Sequence, residues 1–162
     1  MTAYVVADTP ARGNDARGRK PYLIQNILDI KAQIAINGAD YAAGDTEQVL
    51  NVPKGTVVLS SGIEIVESSP SGTATVDLGY TGGTVDLYID GLDIVGGASG
   101  TYGITPGTEA AQIQVIIADD TIDLKFVTEG ALTAGKLRIW AVCMDITDIG
   151  GVEPLEAARD FA

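Results

Sequence analysis

Alternating apolar and polar positions run through the middle of the chain and predict β-strands. The clearest case is the stretch 49–67, VLNVPKGTVVLSSGIEIVE, in which Pro53 and Gly55 mark a turn. After this turn, apolar residues fall at odd positions, namely Val57, Leu59, Ile63 and Ile65. Successive side chains of a strand point to opposite faces, so this spacing predicts a strand with one buried face. We therefore expect residues 45–66 to form a hairpin.

Two later segments predict further pairs of strands. The motif TVDL occurs at 75–78 and again at 84–87, with the glycine-rich turn 79–83 between the copies, so we expect two short strands there. In residues 110–127, alternating apolar residues stand before and after Asp119-Asp120, which predicts a second hairpin with one wet and one dry face. We expect its dry face to consist of Ile113, Val115, Ile117, Ile122, Leu124 and Phe126.

The run KLRIWAVCMDI, residues 136–146, is apolar on both faces from Ile139 to Met144. It predicts a central strand that is covered on both sides, by another sheet or by a neighbouring subunit. The residues expected to form this core or oligomer seam are Ile139, Trp140, Val142 and Met144. For Trp140 the alternative to packing is a surface on which a sugar stacks.

Residues 22–36 fit both a strand and one face of a helix, and their five isoleucines favour the strand. About eight short strands without helices between them predict an all-β fold, an antiparallel β-sandwich or jelly roll. We divide the chain into an extended basic N-terminal arm, 1–20, a β-sandwich domain, 21–150, and a C-terminal tail, 151–162. The sequence of the tail predicts either a short helical turn or a loose end.

Charge is distributed unevenly between the arm and the rest of the chain. Residues 1–20 carry a net charge of +2, whereas the remaining 142 residues carry −14. The basic residues of the arm are Arg12, Arg17, Arg19 and Lys20. Such a segment is either a disordered tail or an arm that becomes ordered on a partner. The acidic body argues against nucleic-acid binding, because contacts with phosphates need lysine and arginine.

Composition excludes several classes of chemistry. The chain has no histidine, which removes Ser-His triads, the commonest general base and most zinc sites. Cys143 is the single cysteine, so neither an internal disulfide nor a cysteine metal site is possible, and we expect it in the core. We expect no membrane span and no secretory signal, because no apolar run is long enough. The sequence therefore predicts neither an enzyme nor a cofactor.

Two weaker interpretations involve the loops. Oxygen-rich loops can bind Ca²⁺, and four aspartates lie close together around glycine-rich turns, namely Asp77, Asp86, Asp90 and Asp93. Their alternating positions also suit a solvated strand face, which we favour. Tyr80, Tyr88 and Tyr102 lie in or beside glycine-rich loops and could bind a glycan, although packing is favoured.

Several segments together resemble small head proteins of tailed bacteriophages, especially cyanophages. They are YAAGDTEQVLNVPKGTVVLSSGIEIVE, SGTATVDLG, YIDGLDI and ADDTIDLKFVTEGALTAGKLRIWAVC, which together cover roughly residues 41–145. These head proteins act as capsid cement, also called decoration proteins. The shared motifs are turns and strands, so the resemblance is one of fold and not of a reaction.

The resemblance implies a non-enzymatic protein of the virion that assembles as a homotrimer on the outside of an icosahedral shell. Its partners would be the major capsid protein and further copies of itself, with no nucleic acid and no membrane. Under this hypothesis the basic arm, Arg12, Arg17, Arg19 and Lys20, binds the capsid. The alternative hypothesis is a head-fibre or tail component that binds a host-surface glycan or receptor.

Overall fold

The structure is a computed structural model that describes most of the chain. The described residues are 3–8, 21–70, 72–81, 84–97, 99–100, 102–103, 113–130 and 132–146. For 3–8, 102–103 and 129 only the backbone is described.

Ten strands and one short helix form within these residues. In chain order they are β1 Ala3–Asp8, β2 Tyr22–Asp29, α1 Ile30–Asn37, β3 Thr46–Val52, β4 Thr56–Glu67, β5 Thr73–Tyr80, β6 Ile89–Asp93, β7 Tyr102–Gly103, β8 Gln114–Val115, β9 Asp120–Gly130 and β10 Lys136–Asp145. No helix of the described residues is long and apolar enough to cross a membrane.

The strands form two sheets that pack face to face, which confirms the expected all-β sandwich. The first sheet has the order β1-β3-β9-β5-β6. The second has the order β2-β10-β4-β7, with β8 also paired to β4. All pairs are antiparallel except β1 with β3, which is parallel.

The core lies between the inner faces of the two sheets. The first sheet contributes Val76, Leu78, Ile122, Leu124 and Phe126, and the second contributes Ile63, Ile65, Leu137, Ile139 and Ala141, all buried. Tyr41 stacks on Phe126 with ring centroids 4.2 Å apart. Cys143 is buried in the same cluster, as expected, and burial raises the pKa of its thiol to about 11.

The expected hairpin around Pro53-Lys54-Gly55 is wrong, because its two strands belong to different sheets. The strand before the turn, β3, pairs with β9, and the strand after it, β4, pairs with β10. The N–H of Gly55, at φ 82°, donates to the carbonyl of Ile116, 2.8 Å away, so the turn is fastened to a different segment. The chain therefore passes from the first sheet to the second at this turn. Both strands bury apolar side chains in the core that the two sheets share.

The second expected hairpin is wrong for the same reason, and half of its dry face is reversed. β8 pairs with β4 in the second sheet, whereas β9 lies between β3 and β5 in the first. Ile122, Leu124 and Phe126 are buried as expected, but Ile113, Val115 and Ile117 are 62, 51 and 81% exposed. Ile116 is buried instead, because its N–H donates to the Thr56 carbonyl and its carbonyl accepts from Gly55.

The second TVDL copy, residues 84–87, is a turn and not the expected strand. β6 begins only at Ile89 and pairs with β5. The turn folds back so closely that a Cβ at Gly79 would overlap the carbonyl oxygen of Thr84. Only glycine therefore fits at this point of β5.

We expect Gly79→Ala to lower the free energy of unfolding by about 2–4 kcal/mol, because backbone atoms must move to admit the methyl group. Gly130→Ala is the matched control. Its Cβ would meet the Thr73 hydroxyl at 2.8 Å, and that side chain can rotate away. Urea unfolding of both variants measures the difference, and equal losses would contradict the close approach at Gly79.

Residues 22–36 divide into a strand and a helix, so the favoured strand is correct only for the first half. The Asp29 side chain accepts from the N–H of Ala32 at 3.0 Å and caps the start of α1. Gly38, at φ 68°, ends the helix with its N–H donating to the Ile34 carbonyl.

The expected arm, 1–20, includes a strand that its sequence did not predict. Ala3–Asp8 forms β1, an edge strand parallel to β3. The four basic arm residues and the tail 151–162 lie outside the described residues. The proposed division at residues 20 and 150 therefore stays a prediction.

Candidate protein-binding face on the second sheet

Strand β10 divides its apolar residues between the core and the outer face of the second sheet. Leu137, Ile139, Ala141 and Cys143 are buried towards the first sheet. The side chains between them, those of Arg138, Trp140, Val142 and Met144, are only half-buried and lie on the opposite face. The expected central position of the strand is confirmed, since β10 lies between β2 and β4, but among the described residues only its inner face is covered by another sheet.

Neighbouring strands extend this outer face sideways. Val142 lies beside Leu23 of β2, which is 58% exposed, and Arg138 lies beside Ile27, which is 49% exposed. On the other side, Met144 is paired with Val57, and Val57 with Val115 of β8. Cross-strand neighbours share a face, so these side chains form one surface. We call it the outer apolar face: Leu23, Ile27, Trp140, Val142, Met144 and Val115.

The side chain of Trp140 packs against the adjacent strand, β4. It is paired with Gly62 of β4, and a Cβ at position 62 would lie 2.6 Å from the Cζ2 atom of the indole ring. The ring therefore occupies the space that any other residue at position 62 would fill. The Ser61 hydroxyl donates to the Trp140 carbonyl at 2.7 Å and fastens the same two strands.

The charged groups of this face are paired with each other. Arg138 contacts Glu64 with Nη1 2.6 Å from Oε2. Lys136 lies 3.1 Å from a Glu67 oxygen and 3.8 Å from an Asp29 oxygen. The hydrogen bond to Glu67 is the main cause of a raised pKa of Lys136, and the charge of Asp29 adds to it. Two basic and three acidic groups therefore leave this end of the face with a net charge of −1, on a chain whose net charge is −12.

The residues predicted as a core or oligomer seam do not lie on one side. Ile139 belongs to the core, whereas Trp140, Val142 and Met144 belong to the outer apolar face. Sequence reasoning missed Leu23, Ile27 and Val115 as members of this face. The signal was present as apolar residues at alternate positions, but their orientation could not be read without the pairing of strands.

Three buried carboxyl groups are the other unusual polar feature. Glu47 is fully buried, and Tyr41 Oη donates to its Oε1 at 2.6 Å. Its Oε2 has no hydrogen-bond partner among the described residues. Burial raises the pKa of Glu47, and the charge of nearby Asp45 contributes. Such a group is costly when ionised, so Glu47 makes stability depend on pH.

Asp123 and Asp77 are buried as well, each with its own donors. Asp123 accepts from the hydroxyl groups of Thr121 and Thr81, and Asp77 accepts from the N–H of Gly91 at 2.9 Å. Burial raises the pKa of both carboxyl groups. These donors explain why two aspartates are tolerated in the first sheet.

The aspartates considered for Ca²⁺ have separate local roles. Asp93 accepts from the N–H groups of Val95 and Gly96, each at 2.9 Å, and these bonds lower its pKa. Asp77 is buried as described, and Asp90 is exposed. Among the described residues, no three acidic or cysteine side chains are grouped to hold a metal ion.

The tyrosines considered for glycan binding differ in exposure. Tyr88 is buried, and burial raises the pKa of its phenol, so its ring is not available for stacking on a sugar. Tyr80 is half-buried and donates to Gln114 at 3.4 Å. The side chain of Tyr102 lies outside the described part.

Comparison with family models and with curated proteins finds no match. Solved structures do match in fold. A chain of the cyanophage Pam1 capsid asymmetric unit is 15% identical, with a TM-score of 0.59, over 85% of this chain and 93% of that one. A chain of the capsid of Ralstonia phage GP4 is 15% identical, with a TM-score of 0.58, over 90% of this chain and 100% of that one. The two-sheet sandwich is thus similar in fold to chains found in two phage capsids.

Proposed function

We propose that this chain is a structural protein of a phage virion. It binds the outside of an icosahedral capsid, as a homotrimer, and holds neighbouring major capsid subunits together. Its function resides in contacts with other proteins and involves no catalysis and no cofactor.

The observation that carries the proposal is the extent of the fold likeness. The matched chains, both from phage capsids, are covered over 93% and 100% of their length. A match of this kind involves the whole sandwich and not a single motif. Fold alone does not determine function, so the sites have to be consistent with the proposal.

Two features of the chain support a role in assembly. The outer apolar face gives the second sheet a surface suited to protein contacts, and contiguous exposed apolar patches often mark such sites. The basic arm gives an acidic protein a short segment of opposite charge. We propose that Arg12, Arg17, Arg19 and Lys20 dock on the shell.

Binding to heads tests the arm directly. We expect the variant R12Q/R17Q/R19Q to bind heads that lack the protein about tenfold or more weakly than the unchanged chain, because charge contacts with the shell are lost. Cosedimentation of purified protein with such heads, at low and at high salt, measures the affinity.

The matched control removes the same amount of charge from the body, in the variant K31Q/K54Q/K125Q. We expect it to bind heads as the unchanged chain does. An equal loss of affinity in both variants would contradict docking by the arm. Absence of binding by the unchanged chain would contradict the proposed function.

A further inference from the structure

We infer that the outer apolar face is a self-association surface whose occupant is a second copy of this chain. The inference rests on the proposed function only because that function includes a homo-oligomer. It adds the surface through which the copies meet, which the fold likeness does not assign.

Exposed or half-buried apolar side chains lie on three strands of the second sheet, β2, β10 and β8. Between β10 and β8, strand β4 places the buried Val57 beside Met144 and Val115. Ile113 and Ile117, in the segment that contains β8, add the most exposed apolar side chains at that end. Monomeric proteins rarely leave contiguous apolar patches larger than a few hundred Å² uncovered. The clustering of these apolar side chains on one face is typical of a surface that contacts a partner.

The shape of the face also suits a protein contact, because its large aromatic side chain is held in place. β4 contributes small residues to the middle of the face, Ser60 and Gly62, and the Trp140 indole is seated over Gly62. A large aromatic side chain held in a defined position by its neighbours is typical of the residues that dominate interface energies.

The charges of the chain favour a second copy as the occupant of this face. Two molecules of net charge −12 repel each other wherever unpaired acidic groups meet. On this face the two basic groups, Arg138 and Lys136, offset two of the three acidic groups, Glu64, Glu67 and Asp29, so repulsion between two copies is reduced there. A basic partner would gain more from the acidic surfaces elsewhere on the body.

The paired charges also complement themselves. Arg138 and Glu64 lie side by side, so copies that meet at this face can bring Glu64 of one towards Arg138 of the next. Oppositely charged groups at the edge of an apolar contact set its register more than its affinity. Copies that meet at this face can therefore form a contact that is both apolar and correctly aligned.

Trp140 provides the measurement, because it is the single tryptophan of the chain. We expect the purified protein to be oligomeric, and its Trp140 emission to shift to longer wavelength on dilution as the indole becomes exposed to water. Analytical ultracentrifugation over the same dilution series gives the dissociation constant without reference to fluorescence.

Leu23→Glu is the test variant, because it places a negative charge at an exposed position within the proposed contact, on the edge strand β2. We expect it to weaken association about 100-fold or more while the thermal unfolding temperature of the dilute protein is retained. Ile36→Glu is the matched control, since Ile36 is also largely exposed but lies on α1. We expect it to associate as the unchanged chain does.

A monomeric unchanged chain, or association of Leu23→Glu equal to that of the control, would overturn the inference. A Trp140 emission that is constant on dilution but shifts to shorter wavelength on binding to heads would also overturn it, in favour of the capsid as occupant. If the protein associates in solution but does not bind heads, the assignment of this face to self-association stands. Only the proposed function is then contradicted.

Discussion

Phe126→Ala is expected to lower the free energy of unfolding by about 3–5 kcal/mol, a larger loss than Gly79→Ala should cause. Phe126 is completely buried between the sheets and stacks on Tyr41 at a centroid distance of 4.2 Å. Truncation leaves a cavity and removes the ring that holds Tyr41. The hydrogen bond from Tyr41 to the buried Glu47 is then weakened as well.

Val127→Ala, one residue along the same strand, is the control for this prediction. Val127 is substantially exposed, so we expect a change within about 0.5 kcal/mol. Urea unfolding followed by circular dichroism compares the two variants. Losses of similar size would contradict a core centred between β9 and the opposite sheet.

Glu47→Gln is expected to make the free energy of unfolding less dependent on pH, so that the variant gains stability relative to the unchanged chain as pH rises. Burial raises the pKa of Glu47 above its ordinary value of 4.5, so the folded state binds the proton more tightly than the unfolded state. The stabilising contribution of this group is therefore complete below pH 4.5 and is lost as pH rises through the higher, folded-state pKa. Glutamine removes the ionisation while an oxygen remains for Tyr41 to donate to.

Asp77 and Asp123 have raised pKa values for the same reason and act in the same direction. We thus expect the unchanged protein to become less stable as pH rises above the ordinary pKa values of these carboxyl groups, and we expect the stability of Glu47→Gln to fall less steeply with pH. Glu67→Gln, at an exposed position, should leave the slope unchanged. Parallel pH profiles of the unchanged chain and Glu47→Gln would contradict burial of an ionised Glu47.

The alternation of residues located several of the strands but could not assign their partners. Residues 49–67 do contain two strands and a turn, yet the strands enter different sheets. A period of two identifies the residues that share a face of one strand, and it carries no information about the neighbouring strand. By contrast, the central position of 136–146 was predictable, because a strand that is apolar on both faces is typical of the interior of a sheet.

The candidate site was partly predictable for a similar reason. Trp140, Val142 and Met144 were expected in a core or a seam, and the structure separates them from Ile139. Val115 was expected to be buried, but the backbone bonds of Ile116 to Thr56 and Gly55 turn it outwards. Burial of Glu47 depends on a tertiary contact with Tyr41 that no local pattern indicates.

The most direct test of the proposed function is the heat stability of phage heads with and without this protein. Heads that lack it are warmed at low salt, and release of DNA is followed with a dye that cannot enter intact heads. Our account predicts release at a lower temperature than from complete heads, and recovery of the original temperature when purified protein is added back. Identical release temperatures for complete, depleted and reconstituted heads would contradict it.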